Sequence, residues 1–223
     1  MSTEHPILID LQDVVLHGRL TIPERACEIV VFANGSGENR FTRRHHEITS
    51  AFNGVGVASL LVDLLTPSEL GNPNRYLDDR RSDVSLLAHR LVKVIDWASK
   101  FEDTAPLFLG LYTVGIVAAA GLIAAAERPG KVMGVVAQSG RPDLAGDAIG
   151  HLETPTMFIV GDLDERLIEI NREVQKKLNC ENDLRVIPGA FEGFSNPTTL
   201  DEVERAAIRW FDYYVAPGLL AAG

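Results

Sequence analysis

A chain of 223 residues, 46% hydrophobic and 23% charged, is long enough to bury a full core as one large domain. Its 21 basic and 31 acidic residues leave a net charge of -10, so polyanions are repelled at long range and neither nucleic acid nor an anionic membrane is expected as a main partner. Cys27 and Cys180 stand far apart without a CxxC or Cys/His cluster; this argues against a disulfide framework and a zinc site, and both read as buried small hydrophobes.

The first residues, MSTEHPILIDLQD, carry acids where a signal peptide carries a basic patch, and no apolar run reaches membrane-spanning length. A cytoplasmic protein is therefore expected, as a single domain over 1–223 with a frayed tail at 216–223. From Ile7 to Thr21 apolar and polar residues alternate around Gly18, as in an antiparallel hairpin with one wet face. Glu28 to Ala33 is a continuous β-prone run that ends on the glycine loop Asn34-Gly-Ser-Gly37. A helix is predicted over Thr42 to Phe52, a buried strand over Val57 to Asp63, and a surface loop over Thr66 to Asn74. Val84, Leu87, Leu91, Val94, Ile95 and Ala98 recur at three and four residue steps, the pattern of an amphipathic helix.

The central stretch is Leu107 to Pro129, LFLGLYTVGIVAAAGLIAAAERP, which reads as a buried strand turning sharply into a packed, alanine-rich helix. Short apolar strands follow at Val132 to Ala137, Thr156 to Val160 and Leu184 to Ile187, with helices over Leu167 to Leu178 and Leu200 to Val215. Strands spaced by helices of this length become parallel neighbours only through crossovers, so a doubly wound, mostly parallel α/β sheet with an antiparallel start and helices on both faces is expected. Trp97, Trp210, Tyr213 and Tyr214 sit at helical spacing and read as core or interface.

The strings VVFANGSGENR (30–40), LLVDLLTP (60–67), AAAERP (124–129), GRPDL (140–144), PTMFIVGDLD (155–164) and VIPGAFEGFSNP (186–197) occur in the order and spacing of an α/β-hydrolase. The chain resembles that superfamily over nearly its whole length, and within it the small dienelactone-hydrolase-like branch. The resemblance implies a nucleophile on a strained strand-to-helix elbow, usually in G-x-S-x-G, followed in chain order by an acid and a histidine base. Here the elbow reads Thr113-Val-Gly-Ile-Val117, so Gly115 occupies the nucleophile position and both flanking glycines are replaced. Asp164 matches the acid. Glu192, in Ala190-Phe-Glu192, stands where the base belongs, and the last histidine of the chain, His151, precedes Asp164.

Gly35-Ser36-Gly37 matches the family's oxyanion loop, whose amides can hold an anionic oxygen, while Asn34 before it stands where related sequences commonly have histidine. With Arg40, His45, Thr113 and Val114 these four residues form the candidate ligand-binding set. Arg40 to His46 concentrates three arginines and two histidines in an acidic chain; as a solvated helix face it would pair with Glu38 and Glu47, and of adjacent His45 and His46 at most one can face a pocket. Ser36, Thr113 and Ser139 are the remaining hydroxyls at strand ends.

These residues favour a pseudo-hydrolase that lacks the Ser/Cys-His-Asp triad and binds a small molecule or pairs with itself or another protein, with no cofactor and no metal. The alternative is an active enzyme: an ester or lactone hydrolase with a displaced nucleophile, or an acid/base enzyme using Asp164 and Glu192. Residues 66–76 are a candidate lid.

Overall fold

The computed structural model describes residues 4–35, 43–70, 80–191, 194 and 196–215. Eight strands form one sheet in the order β1-β2-β4-β3-β5-β6-β7-β8. β1 (Glu4–Asp10) and β2 (Val15–Thr21) are antiparallel, β2 pairs antiparallel with β4 (Ala58–Asp63), and the remaining pairs are parallel. They comprise β3 (Glu28–Asn34), β5 (Phe108–Val114), β6 (Val132–Gln138), β7 (Thr156–Gly161) and β8 (Asn182–Ile187). This is the doubly wound sheet with an antiparallel edge that the alternation of strands and helices predicts.

The helices are α1 (Arg43–Gly54), the single turn α2 (Pro67–Leu70), α3 (Arg80–Ala98), α4 (Val117–Glu127), α5 (Glu165–Gln175) and α6 (Pro197–Tyr214), with a 3₁₀ stretch over Pro142–His151. Two cores lie on opposite faces of the sheet. On one, Ile48 and Phe52 of α1 and Val203, Ala207 and Phe211 of α6 cover Val30, Phe32 and Tyr112; on the other, α3 and α4 cover Ile29, Val31, Leu109 and Leu111. Residues of β5 alternate between the two, as the period of a strand requires.

Several expectations are refined. The first hairpin turns at Leu11–Val14, where Leu11 N–H donates to Val14 O at 2.9 Å and Gln12 has φ 76, while Gly18 lies inside β2 opposite Ile7. Alternation marks the strands but not the turn, because a glycine within a strand and one within a turn look alike in sequence. Cys27 and Cys180 are half-buried free thiols, since both sit at strand margins. In the segment read as a loop, residues 67–70 form a helical turn held by Glu69: its carboxylate takes Thr66 N–H at 2.8 Å and both Arg90 nitrogens at 2.7 Å. The Arg90 guanidinium holds that carboxyl down to about 2. Of the candidate lid, residues 71–76 lie outside the described residues.

The start of β3 carries an unusual group. Glu28 is 1% exposed on the α6 face, and among the described residues neither carboxylate oxygen has a hydrogen-bond partner, nor does the buried Asp212 Oδ1 of α6. Burial, and then the charge of Asp212, push Glu28 from 4.5 up to about 7. A folded value above the unfolded one means that Glu28 favours the fold fully below about pH 4.5, and that this contribution is lost as pH rises through 7. The loss amounts to about 3 kcal/mol on the scale of 1.4 kcal/mol per pKa unit. Urea unfolding is expected to show stability falling between pH 5 and 8 in the parent protein, with Glu28→Gln more stable at pH 8 and flatter across that range; parallel pH profiles for the two proteins would remove Glu28 as the cause.

Candidate functional site at the strand-to-helix elbow

In the strand order, β4 lies on one side of β3 and β5 on the other, so the carboxyl ends of β3 and β5 adjoin where the winding reverses. Such switch points open a crevice beyond the strand ends. Asn34-Gly35 and Val114-Gly115 lie at this one.

Gly115 joins β5 to α4 with φ +62, and its N–H donates to Gln138 O at 3.0 Å. A side chain at this left-handed position costs about 1–2 kcal/mol, a strain that enzymes accept for a nucleophile. Among the described residues a Cβ placed here would meet nothing within 4 Å, so the turn has the backbone of an elbow that can project a side chain while carrying none. Ile116 follows in helical conformation (φ -66, ψ -27) and leads into α4 with no side-chain cap. In a nucleophile elbow the amide after the apex and one from the loop after the preceding strand can hold an oxyanion, and the amides of Ile116 and Gly35 stand at those two places.

The bulky residues beside the elbow are accommodated from the facing elements. A Cβ on Gly121 of α4 would lie 2.8 Å from Thr113 Cγ2, and one on Gly35 would lie 2.6 Å from Val117 Cγ2. Strand, helix and loop therefore still approach closely, with the missing atoms moved to the opposite partner. Thr113 Oγ1 donates to Val136 O at 3.2 Å, so this hydroxyl is directed to the α4 face of the sheet, away from the Tyr112 and Val114 side.

Across four adjacent strands, register places Asp63, Asn34, Val114 and Gln138 in one lateral row on the α1/α6 face. The three polar members are 6%, 5% and 1% exposed. Asn34 Nδ2 donates to Asp63 Oδ1 at 3.5 Å, and Tyr112 OH donates to Gln138 Oε1. Burial raises the Tyr112 phenol, which therefore stays protonated and remains a donor. Gln138 Nε2 is buried without a hydrogen-bond partner among the described residues. Next to it, Ser139 is a buried non-glycine residue at φ +48, held by its N–H to Ile159 O at 2.7 Å. Sequence reasoning missed Gln138 as a site residue; the signal available was its place at the polar end of an apolar strand.

The acid position lies two strands away. Asp164 caps α5, its Oδ1 accepting Leu167 N–H at 2.9 Å, which explains why the helix begins before the predicted Leu167. Asp162 Oδ1 accepts Ala190 N–H at 3.2 Å, Leu163 N–H donates to Ala190 O at 3.1 Å, and a Cβ on Gly161 would stand 2.1 Å from Ala190 O. The acid turn and the loop after β8 are thus fastened together immediately before Glu192. Asp162 was not singled out from the sequence. Glu192, Ser36, Gly37, Arg40 and Glu38 lie outside the described residues.

His45 is 4% exposed on the core face of α1, whereas His46 Nε2 accepts from Arg19 Nη1 at 2.9 Å and so faces β2; the two diverge as adjacent helical residues must. Arg43 pairs with Glu47 at 2.7 Å, the surface ion pair expected for this segment. Among the described residues no three His, Cys, Asp or Glu side chains cluster closely enough to hold a metal ion.

A crystal structure of dienelactone hydrolase from Anabaena variabilis is 38% identical, covers 96% of this chain and 99% of its own, and superposes with a TM-score of 0.91. The chain belongs to the dienelactone-hydrolase-like branch of the α/β-hydrolases. Est1E from Butyrivibrio proteoclasticus shares the fold at 15% identity, with a TM-score of 0.77 over 95% of this chain and 99% of its own. A Mycobacterium tuberculosis protein named "Putative phosphoribosyl transferase" is 41% identical over 206 residues, which are 92% of this chain and 45% of that relative. The chain thus spans less than half the length of the curated relatives it matches. No family model matches it.

Within this dienelactone-hydrolase-like frame the Tyr112–Gln138 pair is testable alone. Tyr112→Phe leaves both halves of the Gln138 amide unpaired in the core and is expected to lower stability by about 1–3 kcal/mol. Adding Gln138→Leu removes the stranded amide and should recover most of the loss; a double variant no more stable than Tyr112→Phe in urea unfolding would show that the amide is satisfied elsewhere.

Proposed function

We propose that this member of the dienelactone hydrolase family is non-hydrolytic and uses the crevice at Gly115 to hold a small polar molecule. The observation that carries this reading is Gly115 itself: a φ of +62, no described atom within 4 Å of where a Cβ would stand, and no side chain to attack from it. An acyl-enzyme needs a nucleophile and a base to take its proton. The elbow supplies only hydrogen, and downstream of Asp164 the chain has no histidine. What remains is a binding surface: the Gly35 and Ile116 amides on one side, and the buried row of Asp63, Asn34 and Gln138 on the other.

The ligand set is Asn34, Gly35, Ser36, Gly37, Arg40, His45 and Val114, with Gln138 added. The relative that continues for more than its own matched half beyond this unit supports a role beside a second unit, as a protein partner in a cytoplasmic assembly. The phosphoribosyl transferase name belongs to that longer protein, and the reading here follows the fold of the matched part.

A second reading, a hydrolase with a displaced nucleophile, is favoured by Ser139, a buried serine at φ +48 on the strand end beside the elbow. Fluorophosphonate labelling separates the two. The protein is expected to be unlabelled and to give no p-nitrophenyl acetate turnover above buffer; stoichiometric adduct on Ser139 would replace the first reading by the second. Gly115→Ser with Glu192→His is expected to introduce measurable esterase turnover and to lose about 1–2 kcal/mol of stability from the left-handed serine. A folded, inert double variant would place the elbow register in error.

A further inference from the structure

A second concave site lies far along the sheet from the elbow. β8 is the edge strand, and α6 overhangs it. The core stripe of α6, Val203, Ala207 and Phe211, packs on the sheet, which leaves Glu202, Arg205, Arg209 and Tyr213, at three and four residue steps, facing the β8 side. From β8, Asp183, Arg185 and Ile187 point to the same space by strand alternation. Together they enclose a groove of about 600 Å³, within the range that holds small ligands.

The composition of this groove is specific. Its floor is apolar, from Met157, Ile187 and Ala206, and one wall is aromatic: Trp210 and Tyr214 have ring centroids 4.4 Å apart, and Tyr213 and Tyr214 4.7 Å. Tyr213 is 70% exposed, so of the two readings of these aromatics, core or interface, the wall is not core at Tyr213. Arg185 is neutralised by Asp183 at 2.7 Å, whereas Arg205 and Arg209, one helical turn apart, form no ion pair with any described residue. The indole Nε1 of Trp210 is buried and has no hydrogen-bond partner among them either. Two unpaired guanidinium groups beside an aromatic wall are notable in a chain of net charge -10.

The geometry points to a binding site for a planar aromatic ring bearing an acid group. The ring lies on the Tyr213–Tyr214–Trp210 wall and excludes water from it, and the carboxylate or phosphate takes the guanidinium donors of Arg205 and Arg209, which suit planar and tetrahedral oxyanions alike. Neither half suffices: a neutral ring leaves the arginines unused, and a bare anion buries no apolar surface. This site shares no residue with the crevice at Gly115 and does not depend on the function proposed there.

The test follows the two indole N–H resonances of the ¹⁵N-labelled full chain, assigned with Trp210→Phe, during titration with adenosine 5′-monophosphate, 4-hydroxybenzoate, adenosine and inorganic phosphate. A saturable shift of the Trp210 resonance is expected with at least one of the two aromatic anions. Adenosine and phosphate should each bind about tenfold or more weakly than that anion, and Arg205→Gln with Arg209→Gln should weaken it by about tenfold or more, as loss of two charge-assisted hydrogen bonds requires. The two anions distinguish phosphate from carboxylate recognition. No saturable shift with either anion, equal affinity for adenosine, or unchanged affinity in a folded double-arginine variant would each overturn the assignment.

Discussion

The left-handed turn at Gly115 is the constraint on which the architecture around the crevice depends. Here β5 hands its chain within two residues to α4, which packs on the same sheet, and the positive φ of Gly115 makes that sharp turn. The hydrogen bond from Gly115 N–H to Gln138 O ties the turn to the neighbouring strand. The helix can then lie close only where side chains allow it, which is why Thr113 faces a glycine on α4 and Val117 faces Gly35. Catalytic members of such a family tolerate strain here to expose an attacking atom. In this chain glycine relaxes the strain, and the bulk of the flanking residues is absorbed by their neighbours, so the corner persists as a packing solution.

Once that corner is set, the crevice inherits its chemistry from register. Because β4, β3, β5 and β6 are aligned at their carboxyl ends, polar residues from three of these distant segments, with Val114 of β5 between them, form a single row beneath it. Burying such a row is unfavourable unless its members are paired, and pairing is nearly complete: Asn34 with Asp63, Tyr112 with Gln138. The Gln138 Nε2, which has no partner among the described residues, is the exception. On the far side, Asp162 and Gly161 hold Ala190 of the loop after β8 against the turn that follows β7.

The helix α6 connects this end of the molecule to two features unrelated to the elbow. Its core stripe closes the sheet, its C-terminal part brings Asp212 to the buried Glu28, and its outer stripe presents Arg205, Arg209 and the tyrosines over the edge strand. A helix with three such faces has a sequence set by more than burial. That explains why charged and aromatic residues interrupt a pattern that would otherwise be simply amphipathic.

By itself the sequence determined the strands, the helices and their order, because alternation and three-to-four residue steps are written within a few neighbouring positions. It also located the strand-to-helix turn at Gly115, since a strand, a glycine and an alanine-rich helix follow one another within one short string. Tertiary structure alone decided that Thr113 turns to α4 while Val114 and Gln138 share the opposite face, that Gly35 and Gly121 receive Val117 and Thr113, that Glu28 is buried against Asp212, and that Tyr213 lines a groove. Each of these joins residues that lie far apart along the chain or turn on which face of the sheet a side chain takes. Such neighbours are fixed by strand order and lateral register, which are global consequences of packing and leave no periodic trace in the residues themselves.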